Sequence, residues 1–151
     1  MNGKIFTLRN LYQSGTEKLE KAGIREAKLD AWYLLEYKTG ISRAVFLADP
    51  DREVEEEKAE SYQKDICTRA RRIPLQHITG EQEFMGLNFK VNENVLVPRQ
   101  DTEILVEEAL KRIRPDMQIL DMCTGSGCIL ESVLKFGEKK QMHLKGTGCD
   151  I

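Results

Sequence analysis

The chain has 151 residues, a formal net charge of −2, 40% hydrophobic and 32% charged residues. That length holds one ordinary domain or two small ones, and the composition is that of a soluble globular protein. Near-neutral charge gives no indication of binding driven mainly by the field of the whole molecule and leaves room for a local patch. No apolar run approaches the roughly 18 residues needed to span a bilayer. Met1 to Asn10 has no apolar core of a signal peptide.

Taken in chain order, the first elements are helical. Leu8, Leu11, Tyr12, Gly15, Leu19 and Ala22 recur on one face of a helix that ends near Gly23. A second helix is expected from about Arg25 to Thr39, with Ala31, Leu34 and Leu35 inward and Gly40 as its stop. Ser42 can cap a short third helix, Arg43 to Leu47, before Asp49-Pro50-Asp51 breaks the chain. The fourth and longest is expected over Glu53 to Ile73, with Ala59, Tyr62, Ile66, Ala70 and Ile73 as its stripe. Acids crowd its start and arginines its end, which suits the helix dipole and reads as a solvated face.

Pro74 is expected to end the helical region. Leu87 to Val91 and Val95 to Val97 read as strands around an Asn92-Glu93-Asn94 turn, a β-hairpin connector. From Pro98 the pattern turns α/β. Asp101 is placed to N-cap a helix reaching Ile113, with Leu105, Ala109, Leu110 and Ile113 inward. Arg114-Pro115-Asp116 is a turn, Gln118 to Met122 a short buried strand. Gly125-Ser126-Gly127 opens a helix with Ile129, Leu130, Val133 and Leu134 inward and Gly137 as its end. Leu144 to Ile151 is a second strand.

Strand, glycine turn, helix, strand and terminal acid form the first βαβ unit of a nucleotide-binding sheet. Gly125 and Gly127 allow a ligand to approach the backbone, and the following helix N-terminus offers unpaired N–H groups. Asp150, 23 residues after Gly127, can accept both hydroxyls of a ribose, near the spacing of about 20 for such units. A dinucleotide fingerprint starting at Gly125 would need a third glycine where Leu130 stands, which disfavours an NAD-dependent enzyme. Asp121 precedes the loop, either facing a ligand or bonding loop amides.

The four cysteines, Cys67, Cys123, Cys128 and Cys149, form no C-x-x-C pair, so reduced thiols in a cytoplasmic setting are the expectation. A zinc site of Cys123, Cys128, His143 and Cys149 can be written but lacks the paired spacing of zinc ligands. No metal is expected.

Asp121-Met122-Cys123-Thr124-Gly125-Ser126-Gly127-Cys128-Ile129 resembles the first motif of class I S-adenosylmethionine methyltransferases. Arg71 to Gly80, Glu83-Phe84-Met85-Gly86-Leu87 and Val95-Leu96-Val97-Pro98-Arg99-Gln100-Asp101-Thr102-Glu103 resemble, more narrowly, the linker, hairpin and signature of the release-factor glutamine methyltransferase family (HemK-like). The chain departs from that pattern at His77, Gln100 and Cys123. The resemblance implies an α/β protein with residues 1–74 as a helical substrate-docking domain, 75–97 as a hairpin linker and 98–151 as the start of the methyltransferase sheet. It implies S-adenosylmethionine as cofactor, held by Asp121, Cys123, Thr124, Gly125, Ser126, Gly127 and Asp150. It implies a peptide chain release factor as protein substrate, with neither nucleic acid nor membrane as a partner. The family's N-P-P-Y motif is expected some tens of residues after Asp150, so no catalytic residue is assigned and the chain alone is expected to be inactive. A binding module without catalysis, or transfer to another protein glutamine or an adenine amino group, are the alternatives. Cys123 and Cys128 are expected to be packed small residues, Trp32 a core residue, and His77 and His143 linker and surface residues.

Overall fold

The computed structural model describes residues 5–150. Met1 to Lys4, part of the stretch read for a signal peptide, and Ile151, the expected end of the last strand, lie outside them. The chain divides into two compact units, with the boundary between Thr79 and Gly80.

The first unit is helical. α1 (Leu8–Lys21) is capped by Thr7, whose hydroxyl accepts the Asn10 N–H at 3.3 Å. α2 (Ala27–Thr39) ends on Gly40 in the left-handed conformation, φ 70°, as glycine at that position allows. α3 (Arg43–Ala48) starts at Ser42, whose hydroxyl accepts the Val45 N–H. α4 (Glu56–Ala70) is shorter than expected. Its expected first residues instead form strand β2 (Glu53–Val54), antiparallel to β1 (Phe6–Thr7). At its other end Arg72 takes a positive φ, so the helix stops before Ile73. Pro74 does not end helical structure. It precedes α5 (Leu75–Thr79), and its carbonyl accepts the His77 and Ile78 N–H groups, a position where the missing proline N–H costs nothing.

The stripes of α1, α2 and α4 converge. Leu8, Leu11, Leu19, Ala31, Leu34, Leu35, Ala59, Tyr62 and Ile66 are buried in one cluster, and Trp32 joins them as expected. Tyr12, Trp32 and Phe46 stack edge-on or tilted, with centroids 5.3–6.5 Å apart. The buried Asp30 carboxylate is met by Arg69 at 2.6 Å, and Arg69 also donates to the Ile73 carbonyl.

The second unit opens with a hairpin whose register differs from the sequence reading. β3 (Glu81–Phe84) pairs with β4 (Leu87–Lys90), and Val95 to Val97 form no strand. The turn is Met85-Gly86, both with positive φ (53° and 71°), which matches the twist of the flanking strands. A 3-10 turn, Gln100–Thr102, leads into α6 (Glu103–Leu110). Asp101 lies inside that turn and does not cap the helix. Val106 is the buried residue of α6, while Leu105, expected inward, is exposed. The other three residues of the expected stripe, Ala109, Leu110 and Ile113, are partly buried against the cluster that holds Phe84 and Val106.

β5 (Gln118–Met122), α7 (Cys128–Lys139) and β6 (Lys145–Cys149) form a βαβ unit with parallel strands, Ile119 opposite Gly146 and Asp121 opposite Gly148. Phe84, Val106, Cys128 and Val133 form the core of this unit, with Ile119, Ile129 and Leu144 against them. β5 is not buried on both faces: Leu120 and Met122 are 63% and 65% exposed. Gly137 does not end α7. It lies inside the helix, where an added Cβ would sit 2.2 Å from Leu144 Cδ1. The helix needs glycine there for close packing, not as a stop. Among the described residues no helix is long and apolar enough to cross a membrane.

Candidate cofactor site

The loop between β5 and α7 is built by two carboxylates and two glycines. Asp121, near the carboxyl end of β5, accepts the Thr124 hydroxyl at 2.8 Å. The Thr124 N–H donates to the Cys149 carbonyl at 3.0 Å, and the Gly127 N–H returns to the Thr124 carbonyl at 2.8 Å. Asp150, just past the end of β6, accepts the Gly125 N–H at 2.7 Å. The two acids therefore stand at the carboxyl ends of adjacent parallel strands, one on either side of the loop, where α/β sheets bind their ligands.

Gly125 and Gly127 are glycine for backbone reasons. Their φ values are 53° and 76°, a region that side chains disfavour. A Cβ on Gly125 would meet nothing within 4 Å, so the space over the loop is open to a ligand. Gly127 caps α7, leaving the first N–H groups of that helix unbonded within it. Ser126 is half-buried in the turn. Open backbone, a helix N-terminus and flanking carboxylates fit a ligand that carries an acidic end and vicinal hydroxyls.

Cys123 departs from expectation. It is exposed with φ 61°, whereas Cys128 is buried as expected. Cys149 is half-buried, and His143 is exposed. Among the described residues no group of three or more His, Cys, Asp or Glu is arranged to hold a metal ion.

The close packing that a third glycine at position 130 would provide is supplied from the strand instead. A Cβ on Gly146 would lie 2.8 Å from both Leu130 Cδ1 and Leu134 Cδ1, so leucines of α7 fill the space left by a glycine of β6. Gly148 likewise accommodates Thr124, whose Oγ1 would be 3.0 Å from an added Cβ. The alternation of Gly146 and Gly148 along β6 was the available signal, since glycine inside a strand marks a close approach.

Residues 10–80 match the family model for the PrmC N-terminal domain. Over 132 residues the chain is 37% identical to the release factor glutamine methyltransferase of Geobacter sulfurreducens, covering 87% of this chain and 46% of that protein. It is 42% identical over 124 residues to the protein of the same name from Clostridium botulinum, covering 81% and 44%, and 36% identical over 146 residues to that from Caulobacter vibrioides, covering 95% and 49%. The chain belongs to the release factor glutamine methyltransferase family. It spans about half the length of the curated relatives it matches. The match to the N-terminal domain of this methyltransferase family ends within a residue of the first compact unit.

Proposed function

We propose that the protein of which these residues are a part methylates the side-chain amide nitrogen of the glutamine in the Gly-Gly-Gln loop of peptide chain release factors, with S-adenosylmethionine as methyl donor, in the cytoplasm. The observation that carries this reading is the open glycine loop flanked by Asp121 and Asp150, in a chain related over most of its length to proteins named for this activity. In this reading residues 1–74 dock the release factor, 75–97 are the linker, and 98–151 begin a class I methyltransferase sheet.

When bound, the cofactor supplies a methyl group on an electrophilic sulfonium. Gly125, Ser126, Gly127 and the start of α7 receive its amino-acid end, with Thr124 held in place by Asp121. Asp150, oriented by the Gly125 N–H, accepts the ribose hydroxyls, and Cys123 borders the opening. A glutamine amide is a weak nucleophile because its lone pair is delocalised into the carbonyl. Rate gain then comes from positioning and electrostatics rather than from a covalent enzyme intermediate.

Calorimetric titration with S-adenosylhomocysteine tests the cofactor half of the proposal. The chain should bind it, and Asp150→Ala should weaken binding about tenfold, the factor that corresponds to ~1.4 kcal/mol. No heat of binding to the intact chain would sink the assignment. The acceptor is tested with the full product of the reading frame. Labelled methyl should pass to a release factor and not to one whose loop glutamine is alanine.

A further inference from the structure

The first unit holds a pair of reactive side chains that the cofactor site does not use. Lys18 on α1 and Cys67 on α4 are 49 residues apart in sequence, yet Lys18 Nζ donates to Cys67 Sγ at 2.9 Å. Both side chains are exposed. We propose that this pair is a peroxide-driven redox cross-link, in which one oxygen atom bridges Nζ and Sγ and staples α1 to α4.

Geometry singles out this thiol among the four. Nitrogen and sulfur are already at a separation that one bridging oxygen spans. Cys128 is buried, and the Cys149 sulfur faces Met122 Sδ at 3.2 Å. Cys123 is exposed but has no amine hydrogen-bonded to it among the described residues. A second observation points to the same place. The pair borders a cleft of about 230 Å³ lined also by Ser14, Gly15, Tyr62 and Gln63. Tyr62 is fully buried, and its hydroxyl, packed over Gly15, has no hydrogen-bond partner among the described residues. The cleft brings a molecule as small as hydrogen peroxide up to both side chains.

The chemistry balances with two equivalents of peroxide. In the first step the Cys67 sulfur attacks one peroxide oxygen. The O–O bond breaks, an S–O bond forms, and water leaves, giving the sulfenic acid. In the second, the Lys18 nitrogen, its extra proton released to solvent, is oxidised by another peroxide to the hydroxylamine, again with loss of water. The hydroxylamine oxygen then bonds to sulfur, the sulfenic hydroxyl leaves as a third water, and an S–O–N bridge remains. Sulfur and nitrogen are each oxidised and both peroxides are reduced to water. Two equivalents of a dithiol supply the four electrons that reverse the bridge, releasing its oxygen as water and returning free lysine and cysteine.

The test is peptide mapping of the 151-residue chain after exposure to hydrogen peroxide. The expected product is a tryptic peptide containing Cys67 joined to one containing Lys18, heavier by one oxygen and lighter by two hydrogens than their sum. Cleavage after Lys18 should be lost, the unfolding midpoint should rise, and dithiothreitol should restore the starting state. Cys67→Ser should abolish the product. Lys18→Arg should leave Cys67 able to form sulfenic acid but not the cross-link. Oxidation of Cys67 with normal cleavage after Lys18 would overturn the proposal, as would Cys67 left unmodified by peroxide.

Discussion

The Glu103 carboxylate accepts the backbone N–H of Met85 at 2.7 Å. This bond joins the first residue of α6 to the tip of the hairpin, across 18 residues of sequence. It gives Glu103, one of the two acids of the Pro98-to-Glu103 stretch, a structural role, since the N–H at a turn with two positive φ values has its acceptor supplied by a side chain.

Removing that acceptor should loosen the turn. Hydrogen bonds to charged groups are worth about 1.5–3 kcal/mol, so Glu103→Ala should destabilise the second unit by that order. Glu103→Gln, which keeps an acceptor oxygen, should recover much of it. Amide exchange at Met85 is the direct readout, and unchanged protection in Glu103→Ala would refute the assigned role.

Arg69→Ala should be among the most damaging substitutions in the first unit. Asp30 and Arg69 side chains are only 9% and 19% exposed. An uncompensated buried carboxylate costs about 3–5 kcal/mol. Adding Asp30→Asn to Arg69→Ala should restore part of the loss in a urea unfolding curve, because it removes the stranded charge.

Gly15→Ala sets two effects against each other. Helix propensity alone favours alanine by about 1 kcal/mol. The added Cβ, however, would lie 2.0 Å from the Tyr62 hydroxyl oxygen and 2.9 Å from its ring. A rigid ring in a packed core cannot yield cheaply, and overpacking costs about 1–3 kcal/mol. The substitution should therefore lower the thermal midpoint; a rise would mean that the ring swings clear.

Tyr62→Phe should raise stability by roughly 1 kcal/mol, since it removes a buried hydroxyl that has no partner among the described residues. It should also change the alkaline limb. Burial, with a smaller contribution from nearby Tyr12, holds the Tyr62 hydroxyl well above the usual tyrosine value. The unfolded chain releases this proton near pH 10. The folded chain retains it, so stability is fully present below about pH 10 and falls as pH rises beyond it. In Tyr62→Phe that part of the decline should vanish from unfolding curves taken across pH 9 to 11.

Hydrogen exchange should separate the two units. α1, α2 and α4 share one buried cluster. β5 and β6 form a two-stranded parallel sheet with Leu120 and Met122 exposed on one face, and such pairs are marginal. Amides of α1 and α4 should exchange far more slowly than those of β5 and β6, and equal protection would contradict this.

Local rules in the sequence reached as far as their range allows. Capping by Ser42 and Gly40, the stripes of α1 and α2, and the glycine loop before α7 depend on residues within about four positions of one another. They were legible without the fold, and so was the family, through the Asp121-to-Ile129 and Pro98-to-Glu103 stretches. Pairings at long separation were not. Whether Leu87 to Lys90 pairs backward with Glu81 to Phe84 or forward with Val95 to Val97 depends on the Met85-Gly86 turn and on what packs beneath it. The same holds for the partners of Glu103 and Arg69, and for the meeting of Lys18 and Cys67. Only the tertiary structure decided these, because hydrogen bonds and packing act over a few ångströms in space regardless of distance along the chain.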